Sequence, residues 1–411
     1  MLHRFLPAYL LTFVNVLGFS LVMPVLPFVV EEYGAPKAVY GFLLSCYSFF
    51  QFLGAPWLGR LSDSLGRKPV LLISQAGTLL SWVVFGAAWF LPNIAIGWVS
   101  LPLIVIACAR VFDGMTGGNN SVTQAYVSDI TTHQEKGWIF GTMGGIVGVG
   151  MIVGPGIGGY LGSTSLGYLG VAICGAFIST LTLISIQLNL KESLPPENRK
   201  PLVKQSLMHS LWLIGRIQTL NPPPIIKRIF LVRSLFSSMM ASYIATIALY
   251  IIDVFKFDAR ELGLFMLAVG LFISFNQAFV SKRFIRKFGE LSTMKIGLFL
   301  CVIGLFAITL TKNLGLYICF YYILNLGISL SIPTFNALIA QNAPPKDTGE
   351  IMGIGDSIIS LSNALFPILA ASAYGFLGET FYHLIAVLPA MGLFLALQIN
   401  LAPSELQPIL D

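Results

Sequence analysis

Gly59-Arg60-Leu61-Ser62-Asp63-Ser64-Leu65-Gly66-Arg67-Lys68 separates two long apolar runs, and its reading decides the fold. Its glycines allow a tight reversal between two helices. Asp63 is suited to sit against the positive end of a helix. The flanking runs, 38–58 and 69–91, each match the ~20 apolar residues that a transmembrane helix needs. The string is therefore a charged turn between two membrane spans. Cations attracted to the cytoplasmic side would account for Arg60, Arg67 and Lys68 alone, but not for the spacing of the glycines and Asp63.

The rest of the chain has the same texture. Of 411 residues, 56% are hydrophobic and 10% charged, and the mean hydropathy is +0.82. A soluble domain carries about 25% charge, so this chain lacks the polar surface to face water. Apolar runs fall at 7–30, 38–58, 69–91, 97–127, 138–162, 166–188, 229–252, 262–284, 292–311, 314–340, 350–376 and 380–401. The expected fold class is an all-α membrane protein with twelve transmembrane helices in two pseudo-symmetric six-helix bundles. A closed barrel would instead show ~10-residue alternating segments. The first run, Phe5 to Val30, is too long for a cleaved leader and lacks a small-residue cleavage site.

The net charge of +6 is a topology signal rather than a nucleic-acid footprint. Of the 24 lysines and arginines, eighteen fall in loops of one side, four on the other (Lys37, Lys256, Arg260, Lys312), and Arg110 and Arg233 within spans. Positive loops stay cytoplasmic, which places both termini and the long middle loop inside, in a multi-pass protein of the bacterial inner membrane. That loop divides the chain into 1–190, a linker 191–227, and 228–411. Within it, Leu207, Leu211, Ile214 and Ile217 recur at helical spacing beside Lys204, His209 and Arg216, as either a short helix on the membrane surface or a solvated linker. The five cysteines lie in apolar runs and are expected to be small buried hydrophobes. The four scattered histidines offer no metal centre.

Offsets reveal an internal repeat. Asp63-Ser64-Leu65-Gly66-Arg67 and Arg286-Lys287-Phe288-Gly289 follow spans two and eight at an offset of 223, which also aligns Arg110-Val111-Phe112-Asp113 with Pro333-Thr334-Phe335-Asn336. An offset of 212 aligns Gly137-Trp138-Ile139-Phe140-Gly141 with Gly349-Glu350-Ile351-Met352-Gly353, and Pro155 with Pro367. Duplicated bundles of this kind are typical of alternating-access transporters.

The string at 59–68 fits G-x-x-x-D-x-x-G-R-[KR] and resembles the signature of the major facilitator superfamily. That resemblance covers nearly the whole chain. It implies a conformational latch formed by Gly59, Asp63, Gly66, Arg67 and Lys68, with Asp63 against the start of span eleven and Arg67 paired with Asp129 at the end of span four. Ser64 stands where the family often has arginine.

In span five, small residues recur at Gly150, Gly154 and Gly158, beside Pro155 and Gly159. Such spacing lets helices approach closely, and the proline bends the helix. The stretch resembles the G-x-x-x-G-P-x-x-G-G element of the antiporter branch, which implies export. In span four, Arg110 and Asp113 are one turn apart and share a face. Ionisable groups at that depth usually mark function. Burial favours the neutral carboxyl and the guanidinium favours the charged one, opposing effects that suit a proton carrier. A permanently ionised pair that sets helix packing is the structural alternative.

Span one, with Asn15 and the paired Pro24 and Pro27, is similar to that of tetracycline exporters, which carry an aspartate where this chain has Asn15. An amide cannot titrate, so proton coupling falls to Asp113 with Arg110, and to Asp356. Arg233, near the start of span seven, is expected to snorkel. Cavity candidates are the polar and aromatic groups Asn15, Gln51, Gln124, Tyr243, Gln277, Asn325 and Asn336. The expected function is proton-coupled export of a small amphipathic molecule by a monomer. It would use the proton gradient and no cofactor, with the lipid bilayer, protons and substrate as its partners. A nutrient-importing proton symporter and a non-transporting receptor with the same fold are the competing readings. No nucleophile–base set or nucleotide-binding string points to an enzyme or to ATP drive.

Overall fold

Prolines and glycines set where the apolar runs bend. In the computed structural model, which describes residues 2–97, 99–132, 135–199, 201, 213–344 and 347–399, span one is two helices, Leu2–Val22 and Leu26–Glu32. Pro24 interrupts the first, and Pro27 lies in the opening turn of the second, where a missing N–H does no harm. Span two is Lys37–Leu65, span three Arg67–Ala87, span five Lys136–Gly162 and span six Gly167–Asn189. Span four starts at Leu101, later than the expected 97, because Ala95–Ile96 and Val99–Ser100 pair as a small antiparallel hairpin. It pauses after Gly117 and resumes as Asn120–Ile130.

Beyond the linker come a short helix, Leu213–Leu220, and span seven, Pro224–Phe255. Arg216 and Ile217 lie on that short helix; Lys204, Leu207, His209 and Leu211 fall outside the described residues. Arg216 Nη1 donates to Ser357 Oγ at 3.4 Å, which docks the helix on span eleven. Spans ten, eleven and twelve are Leu314–Asn342, Thr348–Leu377 and Thr380–Leu397.

Among the described residues, 11 helical segments are long and apolar enough to cross a membrane, one of them the 49-residue Ala259–Ala307. At 1.5 Å per residue that segment would be more than twice the ~30 Å hydrocarbon thickness. Gly289, at φ 76° and ψ 167°, breaks it into spans eight and nine. Twelve spans result. Large apolar side chains such as Phe177 and Phe376 lie exposed along them, as a lipid-facing surface requires. The protein is an integral, multi-pass membrane protein.

Backbone contacts group the chain into two units, Met1–Leu211 with Phe257–Ala268, and Trp212–Lys256 with Val269–Asp411. In the first, span one packs on five and six, span three on four and six, and span two on four. In the second, span seven packs on eleven and twelve, span nine on ten and twelve, and span eight, through Asn276–Ser281, on ten. Raising each number by six converts the first pattern into the second. Gly66 (φ 104°) and Gly289 (φ 76°) mark equivalent turns at the offset of 223.

That offset does not extend into span four. Spans four and ten start 213 residues apart and end 212 apart, so the equivalent of Asp113 lies at Asn325 or Leu326 rather than at Asn336. A longer span three and the hairpin before span four shift the register. The cysteines also differ from expectation. Cys46 and Cys301 are buried, but Cys108 and Cys319 are exposed, because a small apolar thiol suits a lipid-facing position as well as a core.

Candidate functional site

Close backbone approach between spans two and four creates the first site. A Cβ at Gly54 would strike the Met115 carbonyl, and one at Gly114 the Tyr47 carbonyl. These contacts turn Arg110 and Asp113 inward among spans two, three and four. Arg110 Nη1 lies 3.2 Å from Asp113 Oδ2, and the two side chains are 3% and 6% exposed. The guanidinium carbon sits 5.3 Å from the Phe85 ring, 5.5 Å from Trp82 and 5.9 Å from Tyr47. Its Nε and Nη2 make no hydrogen bond among the described residues. Aromatic faces thus take the place of acceptors around half of a buried cation. Protonation of Asp113 would leave that cation a neutral acceptor and those faces in place of an anion, so the proton and the position of Arg110 are linked.

The turn at 59–68 holds a second cluster. Gly66 takes a positive φ, which ends span two and lets span three start at Arg67. Arg67 Nη1 meets Asp63 Oδ1 at 2.7 Å, and its Nε meets Asp129 Oδ2 at 3.0 Å. The open N-terminus of span three is filled by Glu192 from the start of the linker, a residue that sequence reasoning missed. Its carboxylate accepts from the amides of Arg67 at 2.9 Å and Lys68 at 3.2 Å. Ser193 Oγ donates to Asp129 Oδ2 at 3.0 Å, and Lys68 Nζ to the Gln187 carbonyl at 2.9 Å. Gly59 faces the Ser121 hydroxyl of span four. The Asp63 side chain is 38% exposed, and the buried Arg67 keeps Asp129 as a second partner, so loss of the Asp63 charge alone costs little. Asp63→Asn is therefore expected to leave folding and substrate binding intact while lowering flux several-fold; wild-type flux in reconstituted vesicles would remove the latch role.

In the second unit Arg233 is 3% exposed and does not snorkel. Span seven starts at Pro224 rather than 229, so Arg233 lies more than two turns inside it. Its Nη1 donates to Asn336 Oδ1 at 2.8 Å, and its Nη2 lies 3.3 Å from Asp356 Oδ1. The Asp356 side chain is 74% exposed. Three spans, seven, ten and eleven, meet at this arginine.

Span five presents two small-residue faces. Cβ atoms at Gly150, Gly154 and Gly158 would meet Val16, the Ser20 hydroxyl and the Leu21 carbonyl of span one. Ser20 Oγ donates to the Gly150 carbonyl at 3.0 Å. On the other face, a Cβ at Gly159 would meet the Ala259 carbonyl, and one at Gly263 the Pro155 carbonyl. This contact places 257–268 with the first unit.

The remaining candidates separate by burial. Asn15 Nδ2 donates to Asn119 Oδ1 at 2.6 Å, and Gln51 Nε2 to the Gly117 carbonyl at 3.3 Å. Both join spans within the first unit. Gln124 is exposed and Gln277 half-buried. Tyr243 and Asn325 are buried inside the second unit rather than open to a cavity. Trp82, Phe85 and Asn119 escaped sequence reasoning because a span's rotation decides which of its aromatics and amides face inward.

Twelve spans, an internal repeat and charges held inside the spans are the architecture of alternating-access transporters. Residues 8–367 match the sequence profile of the Major Facilitator Superfamily, and the chain belongs to that family. It is 25% identical to a class H tetracycline resistance protein of Pasteurella multocida over 374 residues, which cover 89% of this chain and 88% of that one. It is 28% identical to a class D tetracycline resistance protein of Salmonella ordonez over 367 residues, covering 89% and 88%. The crystal structure of the human organic anion transporter MFSD10 shares the fold, with a TM-score of 0.72 at 22% identity, over 96% of this chain and 99% of that one.

Proposed function

We propose that this transporter exports a small amphipathic molecule in exchange for protons. The observation that carries the reading is the Arg110–Asp113 pair, a carboxyl with little access to solvent beside a cation whose Nε and Nη2 have no acceptor among the described residues. Such a carboxyl is a suitable proton carrier. The span-five glycine faces and the likeness to tetracycline resistance proteins support export over import. Asp113 binds the proton, Arg110 responds to it, and the Asp63–Arg67–Asp129 cluster holds one state of the cycle. The protein works as a monomer, without a cofactor, in the bacterial inner membrane with both termini cytoplasmic.

The test is flux in liposomes, with tetracycline and ethidium as probes. Substrate movement against an imposed proton gradient, abolished by a protonophore, is the expected result. Movement of probe and proton in the same direction would make the protein a symporter. The topology has its own check. A single cysteine at Glu197, in a background lacking the native thiols, is expected to react only with reagents that reach the cytoplasm. Labelling from outside intact cells would reverse the orientation.

A further inference from the structure

Lys282-Arg283-Phe284-Ile285-Arg286-Lys287-Phe288-Gly289-Glu290 leads from span eight into span nine. At the offset of 223 it is the counterpart of 59–67, and Gly289 keeps the positive φ of Gly66. Its charges are rearranged. Arg286 stands at the place of Asp63, and Glu290 at that of Arg67. Spans four and ten end 212 residues apart, which sets Gln341 against Asp129. In the first repeat Arg67 is held by two acids, Asp63 and Asp129. In the second the acid is the held residue: Glu290 Oε1 accepts from Gln341 Nε2 at 2.9 Å. The cations are left outside that contact.

Lys282, Arg283, Arg286 and Lys287 are all exposed. Among the described residues none of the four pairs with an acid or donates a side-chain hydrogen bond; Lys287 Nζ lies over the Phe288 ring, 5.2 Å from its centre. Lys282 and Arg286 are four residues apart, as are Arg283 and Lys287. Like charges at that spacing on a helix repel, so the cluster is a local cost that the protein itself does not relieve. Attraction of loop cations to the cytoplasmic side accounts for lysines and arginines here. It does not account for the lack of the acids that balance them in the first repeat. The cations also close an apolar stripe. Leu271, Phe275 and Phe279 are exposed, and Arg283 and Lys287 continue their spacing of four. That spacing drifts around a 3.6-residue helix, and the wider π-helical turn Asn276–Ser281 sets part of the drift back. The Phe275 and Phe279 rings lie 5.2 Å apart.

We propose that this turn binds an anionic phospholipid, with the phosphate among Lys282, Arg283, Arg286 and Lys287 and an acyl chain along Phe275 and Phe279. Charge selects the headgroup. Four cations without a counterion attract a net negative lipid, and the two arginine forks match phosphate oxygens. A zwitterionic headgroup brings its own cation with the phosphate and gains little. The stripe selects a lipid over a soluble anion, since exposed phenylalanines on a membrane span have acyl chains as their natural contact. The lipid supplies at this turn the negative charge that Asp63 and Asp129 supply at the first. The inference is independent of what the protein transports and of how protons are coupled.

The test uses the full-length protein in an uncharged detergent, titrated with phosphatidylglycerol or with phosphatidylcholine of the same acyl chains. By native mass spectrometry the wild type is expected to hold phosphatidylglycerol at least about tenfold more tightly, and its melting temperature should rise by several degrees with that lipid only. Combining Lys282→Gln, Arg283→Gln, Arg286→Gln and Lys287→Gln should remove both differences and leave melting in phosphatidylcholine unchanged. Combining Lys256→Gln, Arg260→Gln and Lys312→Gln, cations outside the stripe, should preserve them. A photoreactive phosphatidylglycerol on the wild type needs no variant, and its adducts are expected within residues 271–290. Adducts confined to other segments overturn the site. Equal binding of the two lipids by the wild type, or an undiminished preference in the fourfold variant, overturns it as well. Inorganic phosphate that raises the melting temperature as much as phosphatidylglycerol does overturns the lipid as occupant.

Discussion

Asp113→Asn is expected to reduce proton-driven flux to below about 1% of wild type, while counterflow of the transported probe in the same liposomes continues. The asparagine is nearly isosteric and still accepts from Arg110 Nη1, now 3.2 Å from Asp113 Oδ2, so packing among spans two, three and four is retained. What is lost is the ability to bind and release a proton. Counterflow exchanges substrate for substrate and needs no net proton, which separates coupling from binding. Full proton coupling in the variant would make Asp113 a structural partner of Arg110. Among the described residues Arg110 has no acceptor at Nε and Nη2 and Asp113 as its one anion, so removing that charge leaves a buried cation on aromatic faces and a neutral amide. A drop of several degrees in melting temperature should accompany the loss of coupling, in keeping with the about 3–5 kcal/mol cost of a buried charge left without its partner.

Gly158→Val is expected to abolish transport and lower the melting temperature by several degrees. A Cβ there would overlap the Leu21 carbonyl and lie 2.8 Å from its carbonyl carbon. Both neighbours are backbone atoms and cannot move aside as a side-chain tip would. Overpacking of this kind costs about 1–3 kcal/mol where side chains give way. Here spans one and five must separate instead. Gly144 on the same helix has nothing within 4 Å of its Cβ position, so Gly144→Ala should be neutral in melting temperature and flux. Equal effects at the two positions would show that span five is sensitive to any change rather than to its contact with span one.

The polar turn at 59–68 and the twelve apolar runs are legible because lipid imposes long unbroken segments and charges only their ends. Arg67 and Asp129 were paired from the family resemblance, and they lie 3.0 Å apart. Arg233 was misjudged because Pro222-Pro223-Pro224 suggests a linker, whereas Pro224 is the first residue of span seven, a position where proline is favoured. The match of Asp113 to Asn336 failed for a different reason. One offset was carried across a hairpin that occurs only in the first repeat. The rings around Arg110 come from two other spans, and no local pattern states how those spans are rotated. Glu192 looks like one more charge in a charged linker; only the folded chain shows it on the amides of Arg67 and Lys68.

The hairpin at 95–100 offers a practical handle. Span three begins at the charged turn and ends before this loop, so the hairpin emerges at the opposite end of the helix. Its first strand is exposed, and Gly97 has nothing within 4 Å of its Cβ position. The second repeat connects spans nine and ten without such a hairpin, through residues 308–313, so the architecture does not depend on it. Exposed loop tips of this type accept insertions readily. An epitope or a small fluorescent domain placed at Gly97 would report from the face opposite the linker and give the protein an affinity tag remote from its buried charges.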